Sequence, residues 1–186
     1  MSDANHTNFV EHISLETNRL FVEPYRDEDL PDIFAYASQP EITNFLTWEP
    51  HKSIDDSRQF LTWVRSSNRN ERGSLFFTFG IRLKETGRVI GSVQFSQPKP
   101  WMGQLDYALS SAYWNKGLMP EAASAVKTWA LEAMPEIVRF QCYCDPENHG
   151  SRRVMEKIGL NFECVQKKVF LVKGQITDLA YYAWTK

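Results

Sequence analysis

The stretch from Gln104 to Gly159 limits the fold most, because its periodicity switches repeatedly between that of a strand and that of a helix. Gln104 to Ser110 reads as a strand, and a loop over Tyr113–Met119 follows it. Ala122, Val126, Trp129 and Ala133 then line one face of a helix over Met119–Ala133, with Pro120 suited to its first turn. Val138, Phe140, Cys142 and Cys144 alternate as a strand, and Ser151–Ile158 reads as a helix ended by Gly159. A strand–helix–strand–helix centre needs a sheet with helices on its faces.

The flanks add antiparallel pieces. Phe77, Phe79, Ile81 and Leu83 alternate, Glu85-Thr86-Gly87-Arg88 supplies turn chemistry, and Val89, Gly91, Val93 and Phe95 alternate again. Pro98 and Pro100 are expected to break the chain before the next strand. Val165–Val172 and Asp178–Trp184 predict a closing hairpin around Lys173-Gly174. Upstream, Leu20–Glu23 reads as a strand stopped by Pro24, and Asp27–Ser38 as a helix. A second helix starts at a capping-box-like Ser53/Asp56 and carries Phe60, Trp63 and Val64 as its apolar stripe. The fold class is therefore α/β of the α+β kind, with a mixed sheet. Residues 1–186 are expected to form a single domain, with 1–14 a loose lead-in.

Composition narrows the functions. With 21 basic and 23 acidic side chains and no basic run, the chain lacks the electrostatic means to grip nucleic acid. No apolar run approaches the ~20 residues of a membrane-spanning helix, and the polar N-terminus is unlike a signal peptide, so a cytoplasmic location is expected. Cys142, Cys144 and Cys164 form no CxxC pair, and the histidines have no metal-ligand spacing, so no metal site is assigned.

The loop Tyr113-Trp114-Asn115-Lys116-Gly117-Leu118-Met119 carries the first chemical signal. It joins the end of a strand to a helix whose first-turn N–H groups and dipole favour an anion. Gly117 lets backbone approach a phosphate closely, and Lys116 adds positive charge. An ordinary strand-to-helix turn has the same outline. Asn148 and Ser151 flank the next helix start, where each also suits a cap.

Taken together, YWNKGLMPEA resembles the acetyl-CoA-binding loop of the GNAT superfamily of N-acetyltransferases, and DPENHGSRRVMEKIGLNFE resembles the motif that follows it. LETNRLFVEPYRDEDL, ETGRVIGSV and KGQITDLAYYAW are similar to the ribosomal-protein N-terminal acetyltransferases of the RimJ/RimL type. The resemblance runs from about Leu15 to the C-terminus. It implies a twisted, mostly antiparallel sheet in which one parallel pair of strands splays apart, with helices on both faces. Acetyl-CoA would enter that gap against backbone near Leu109 and Ser110. Trp114, Asn115, Lys116, Gly117, Leu118 and Met119 would surround its pyrophosphate, and Asn148, Ser151 and Arg153 would face its pantetheine and thioester. The family loop more often has Gln or Arg where Trp114 stands, and a small residue where Met119 stands.

The implied reaction moves an acetyl group to a primary amine, either a protein N-terminus or a small molecule. A backbone N–H near Leu109 is expected to steady the developing oxyanion. Many relatives protonate the departing thiolate with a Tyr, but Met155 stands at the matching position, and a thioether has no proton to give. Ser151 is the implied substitute acid, with Asn148 beside it. Asp106 is the first candidate base, with Asp178 and Glu49 as others; Phe170 occupies the place where some relatives carry a carboxylate. Tyr25, Phe45 and Trp48 are expected to line the acceptor pocket. Loss of acid and base would leave a non-catalytic acyl-CoA-binding module, the alternative to an enzyme. Either a monomer or a homodimer is compatible with the sequence.

Overall fold

A computed structural model describes residues 13–67 and 75–186 of the chain. All eight described strands join one sheet: β1 (Leu15–Glu16), β2 (Leu20–Glu23), β3 (Phe76–Leu83), β4 (Val89–Lys99), β5 (Met102–Leu109), β6 (Arg139–Cys144), β7 (Asn161–Val172) and β8 (Gln175–Thr185). Their order is β1-β2-β3-β4-β5-β6-β8-β7, and every neighbouring pair is antiparallel except β5 and β6. The parallel pair follows from its connection. A helical crossover, α4 (Leu118–Ala133), carries the chain from the end of β5 back to the start of β6.

β5 and β6 pair only at Met102↔Arg139, Gly103↔Phe140 and Gln104↔Gln141, and then separate. Gly103 sits where they meet, and a Cβ there would lie 2.7 Å from the Phe140 ring. This is the splayed pair that the resemblance implies, and it divides a mostly antiparallel sheet.

Helices cover both faces. On one, α4 packs Ala122, Ala123, Val126 and Ala130, all fully buried, against Val93, Phe95, Leu105 and Leu109. Phe77, Phe79 and Phe95 surround Trp129 with ring centroids 5.8–6.0 Å away. α5 (His149–Lys157) adds Met155 to the same core. On the other face, α1 (Leu30–Ala37), α2 (Pro40–Thr43) and α3 (Ile54–Ser67) bury Ile33, Tyr36, Ile42, Leu61 and Val64 with Tyr25, Val89 and Ala108.

Local chemistry departs from expectation at several points. Pro98 does not end its strand: β4 runs on to Lys99, and a register irregularity between Ser96 and Lys99 takes the proline out of the regular ladder. The helix expected over Asp27–Ser38 begins as a 3-10 turn at Asp27–Asp29. The Asp29 carboxylate accepts from Arg26 N at 2.8 Å and from Arg82 Nη2 at 2.9 Å, and Arg82 also bonds Glu23 at 2.7 Å. The capping box at Ser53/Asp56 does form, with Asp56 Oδ2 accepting from Ser53 N at 3.0 Å. Trp63, placed by spacing in the buried stripe of α3, is 47% exposed. Of the expected lead-in, residues 1–12 lie outside the described residues, and Ile13 is already part of the main core.

Candidate active site

A continuous cavity of about 1640 Å³ runs from the turn before α4, through the split between β5 and β6, to the aromatic wall beside α3. Its shape follows from the backbone. Ser110 N–H donates to Ile90 O at 2.8 Å. Because alternate residues of an antiparallel ladder address the same neighbour, Leu109 and Tyr107 turn their backbone groups away from β4, toward the split. Trp114 Nε1 donates to Leu109 O at 2.8 Å, which ties the loop to this strand end.

Two left-handed residues, Asn115 (φ 60°) and Gly117 (φ 74°), swing the chain into α4. Asn carries this conformation better than most residues, and glycine does so without a steric penalty. No side chain caps α4, so the first-turn amides of Leu118 and Met119 remain for a ligand; Pro120 has none. The side chains of Leu118 and Met119 are 4% and 5% exposed in the core, so their share in anion binding is limited to backbone. Asn115 and Gly117 line the cavity. Lys116 Nζ instead sits 5.2 Å from the Tyr113 ring centroid.

Arg19, from the start of β2, holds this turn from outside. Its Nη1 donates to Lys116 O at 2.9 Å, and its Nε donates to Glu121 Oε2 at 2.7 Å. Thr17 Oγ1 donates to the other Glu121 oxygen at 2.6 Å. The one carboxylate in the first turn of α4 is thereby neutralised at the end where an anion is wanted. Sequence reading missed Arg19, which lies about a hundred positions from its partners. The free first-turn amides and Gly117, in a turn braced from outside by Arg19, fit the pyrophosphate of a coenzyme A molecule.

Deeper in the split, Asn148 is the N-cap of α5, and its Oδ1 accepts from Ser151 N at 3.0 Å. Ser151 Oγ lies 2.9 Å from Tyr107 Oη, which also reaches Ser151 O at 3.2 Å. Tyr107 too went unnoticed in the sequence. Its signal is a hydroxyl on the otherwise apolar Leu105/Leu109 face of β5. Burial raises the Tyr107 phenol well above its usual range, so it stays protonated. Cys144, at the end of β6, is pushed up to about 11 by burial and stays a thiol. Met155 is buried in the core at 1% exposure, while Arg153 is exposed at the cavity edge.

Asp106 precedes Tyr107 and so projects from the opposite face of β5. Gln104 Nε2 donates to Asp106 Oδ2 at 3.2 Å and lies 3.3 Å from Tyr143 Oη, while Gln141 Nε2 donates to Gln104 Oε1 at 3.1 Å. Burial raises the Asp106 carboxyl, and the Gln104 bond offsets part of that rise. The other carboxylates are placed differently. Asp178 accepts from Lys167 Nζ at 2.8 Å and Lys168 N at 3.0 Å, pinning an irregularity in β7. Glu49 is exposed beside Lys173, 3.4 Å away. Phe45 and Trp48 line the cavity, whereas Tyr25 is buried with its hydroxyl 2.9 Å from that of Tyr36. Among the described residues no group of three or more potential ligands could hold a metal ion.

Over nearly its whole length the chain is similar to N-acetyltransferases. The N-acetyltransferase YoaA of Bacillus subtilis, itself uncharacterized, is 25% identical over 174 residues, covering 92% of this chain and 96% of its own. A GNAT-family acetyltransferase from Bacillus anthracis has a similar structure, with a TM-score of 0.82 and 24% identity over 93% of this chain and 98% of its own. RimL, a ribosomal L7/L12 α-N-protein acetyltransferase solved with coenzyme A, gives 0.79 and 18% over 93% and 98%. The model of the acetyltransferase (GNAT) domain matches residues 19–161. The chain belongs to the GNAT family of N-acetyltransferases, and acetyl-CoA is its acetyl donor.

Proposed function

We propose that this enzyme acetylates a protein N-terminal α-amine, in the manner of the RimJ/RimL type, with Ser151 as proton donor and Asp106 as base. The observation that carries the reading is the split at Gln104/Gln141, with Ser151 on one side of β5 and Asp106 on the other. Acetyl-CoA, when bound, supplies the acetyl group as a thioester whose sulfur needs a proton as it leaves. In this reading Ser151 Oγ gives that proton from the α5 side. Asp106 takes one, directly or through water, from an amine arriving along the aromatic wall. Leu109 and Tyr107 offer backbone groups to the pantetheine.

The weakness of a carboxylate as a base argues for the amine class. An α-amine has a pKa of about 7.7–8.0, so roughly a tenth is neutral at pH 7, whereas a lysine amine near 10.4 is neutral only to about one part in 2,500. A carboxylate such as Asp106, bonded to Gln104 beside Tyr143, suits the former. RimL, named for α-N-acetylation, shares the fold. The domain is proposed to act as a single unit, without a metal.

The test offers acetyl-CoA with peptides having free or blocked N-termini, free lysines, and small primary amines, and reads acetylation by mass spectrometry. Turnover with free N-termini is expected. Turnover confined to small amines would replace this acceptor with a small-molecule one, and binding without turnover would make the chain a non-catalytic module.

A further inference from the structure

We infer that Tyr107 is a positioning residue: its phenol donates to Ser151 Oγ and so leaves the serine hydrogen free to point into the split. The inference rests on the reading of Ser151 as proton donor. Tyr107 Oη lies 2.9 Å from Ser151 Oγ and 3.2 Å from Ser151 O. A phenol has one hydrogen and can make only one strong bond of the two. The carbonyl belongs to the third residue of α5, where the helix offers it an N–H one turn on. The hydroxyl is offered no backbone N–H, only the Cys144 thiol besides the phenol, and it is the nearer atom to Tyr107 Oη. Asn148 fixes the Ser151 backbone, not its hydroxyl, since Oδ1 receives Ser151 N–H.

The consequence concerns direction. A serine hydroxyl rotates freely about its Cβ–Oγ bond, and only one range of that rotation aims its hydrogen at a leaving sulfur. An incoming phenol hydrogen occupies a lone pair on Oγ and biases the rotor away from β5. Burial keeps Tyr107 protonated through the working pH range, so the bias does not titrate away. In the step itself the amine nitrogen forms a bond to the acetyl carbon, the carbon–sulfur bond breaks, and its electron pair leaves on sulfur. Ser151 passes its proton to that sulfur, and the proton lost by the amine through Asp106 or water reaches solvent. Serine recovers a proton from solvent after product release, and Tyr107 neither gains nor loses one.

Tyr107→Phe keeps the ring and deletes the donor, so it tests the claim with the fold intact. Steady-state rates, CoA affinity by calorimetry, and the ionisation of bound CoA thiol by thiolate absorbance against pH are measured for Tyr107→Phe, Ser151→Ala and the double variant. Turnover of Tyr107→Phe is expected to fall about tenfold or more, toward the range that a proton donor contributes, with CoA affinity within about twofold. The bound thiol should titrate at higher pH in both single variants, because thiolate loses its donor. The double variant should be no more than about twofold slower than Ser151→Ala, as for residues acting through one another. Wild-type turnover in Tyr107→Phe beside slow Ser151→Ala, independent losses that multiply in the double variant, or a thiol titration moved by Ser151→Ala alone would each overturn the positioning role. Full turnover in Ser151→Ala would instead remove the proton-donor reading, and this inference with it.

Discussion

Asp106, the proposed base, is a side chain whose burial works against the fold. Its carboxyl is raised because burial disfavours the charged form, and Gln104 offsets this only in part. The folded-state value lies above the unfolded one, so the carboxylate destabilises the fold at pH above both, and protonation relieves the penalty as pH falls through the folded value. The same shift makes Asp106 a stronger base than an exposed carboxylate. Asp106→Asn should therefore unfold at a higher temperature at neutral pH while losing about 10²-fold or more in turnover. In the parent enzyme the rate should fall on acidification more steeply than protonation of the amine alone requires, and that extra step should vanish in the variant. Calorimetry and a pH–rate profile check the two halves separately.

At the scale of elements, the turn before α4 is held by parts remote in sequence. Arg19→Met removes the donor to Lys116 O and frees Glu121 beside the anion site. CoA affinity should weaken about tenfold, or ~1.4 kcal/mol, with turnover at saturation within about twofold. Gly117→Asp should be harsher, since it puts a side chain at φ 74° and a carboxylate beside phosphate; loss of measurable CoA binding in calorimetry is expected.

The same turn shows what was legible in the sequence. Local chemistry was readable: Gly117 before Pro120, the alternation of the hairpins, the Ser53/Asp56 box, and Gly159 closing α5 (φ 79°). So was the order of strands and helices, because periodicity is a local property. Pairings between remote residues were not, because nothing near Tyr107 or Arg19 marks its partner. Register was equally hidden. That β4 continues through Pro98, and that Trp63 faces the cavity rather than the core, depend on which neighbour each residue meets. Asn148 and Ser151 stand out by motif, but the motif does not separate the capping oxygen of one from the hydroxyl of the other, which meets Tyr107.

For the whole molecule, ligand binding and stability are one equilibrium. Acetyl-CoA at 100 times its dissociation constant should add ~2.7 kcal/mol of stability. For a chain of this size that corresponds to a rise of roughly 5–11 °C in the unfolding temperature, visible by scanning calorimetry with and without acetyl-CoA. Equal unfolding temperatures at millimolar acetyl-CoA would remove the cavity from the binding site.

Three residue pairs join the β1–β5 half of the sheet to the β6–β8–β7 half, and all three lie at one end. Mechanically this is a seam sewn at its foot and left unstitched above. A bound pantetheine arm would supply the missing stitches, its amides standing in for those of a strand. The donor is then a structural member of the sheet as well as a reactant, and each turnover removes and replaces part of what holds the two halves together.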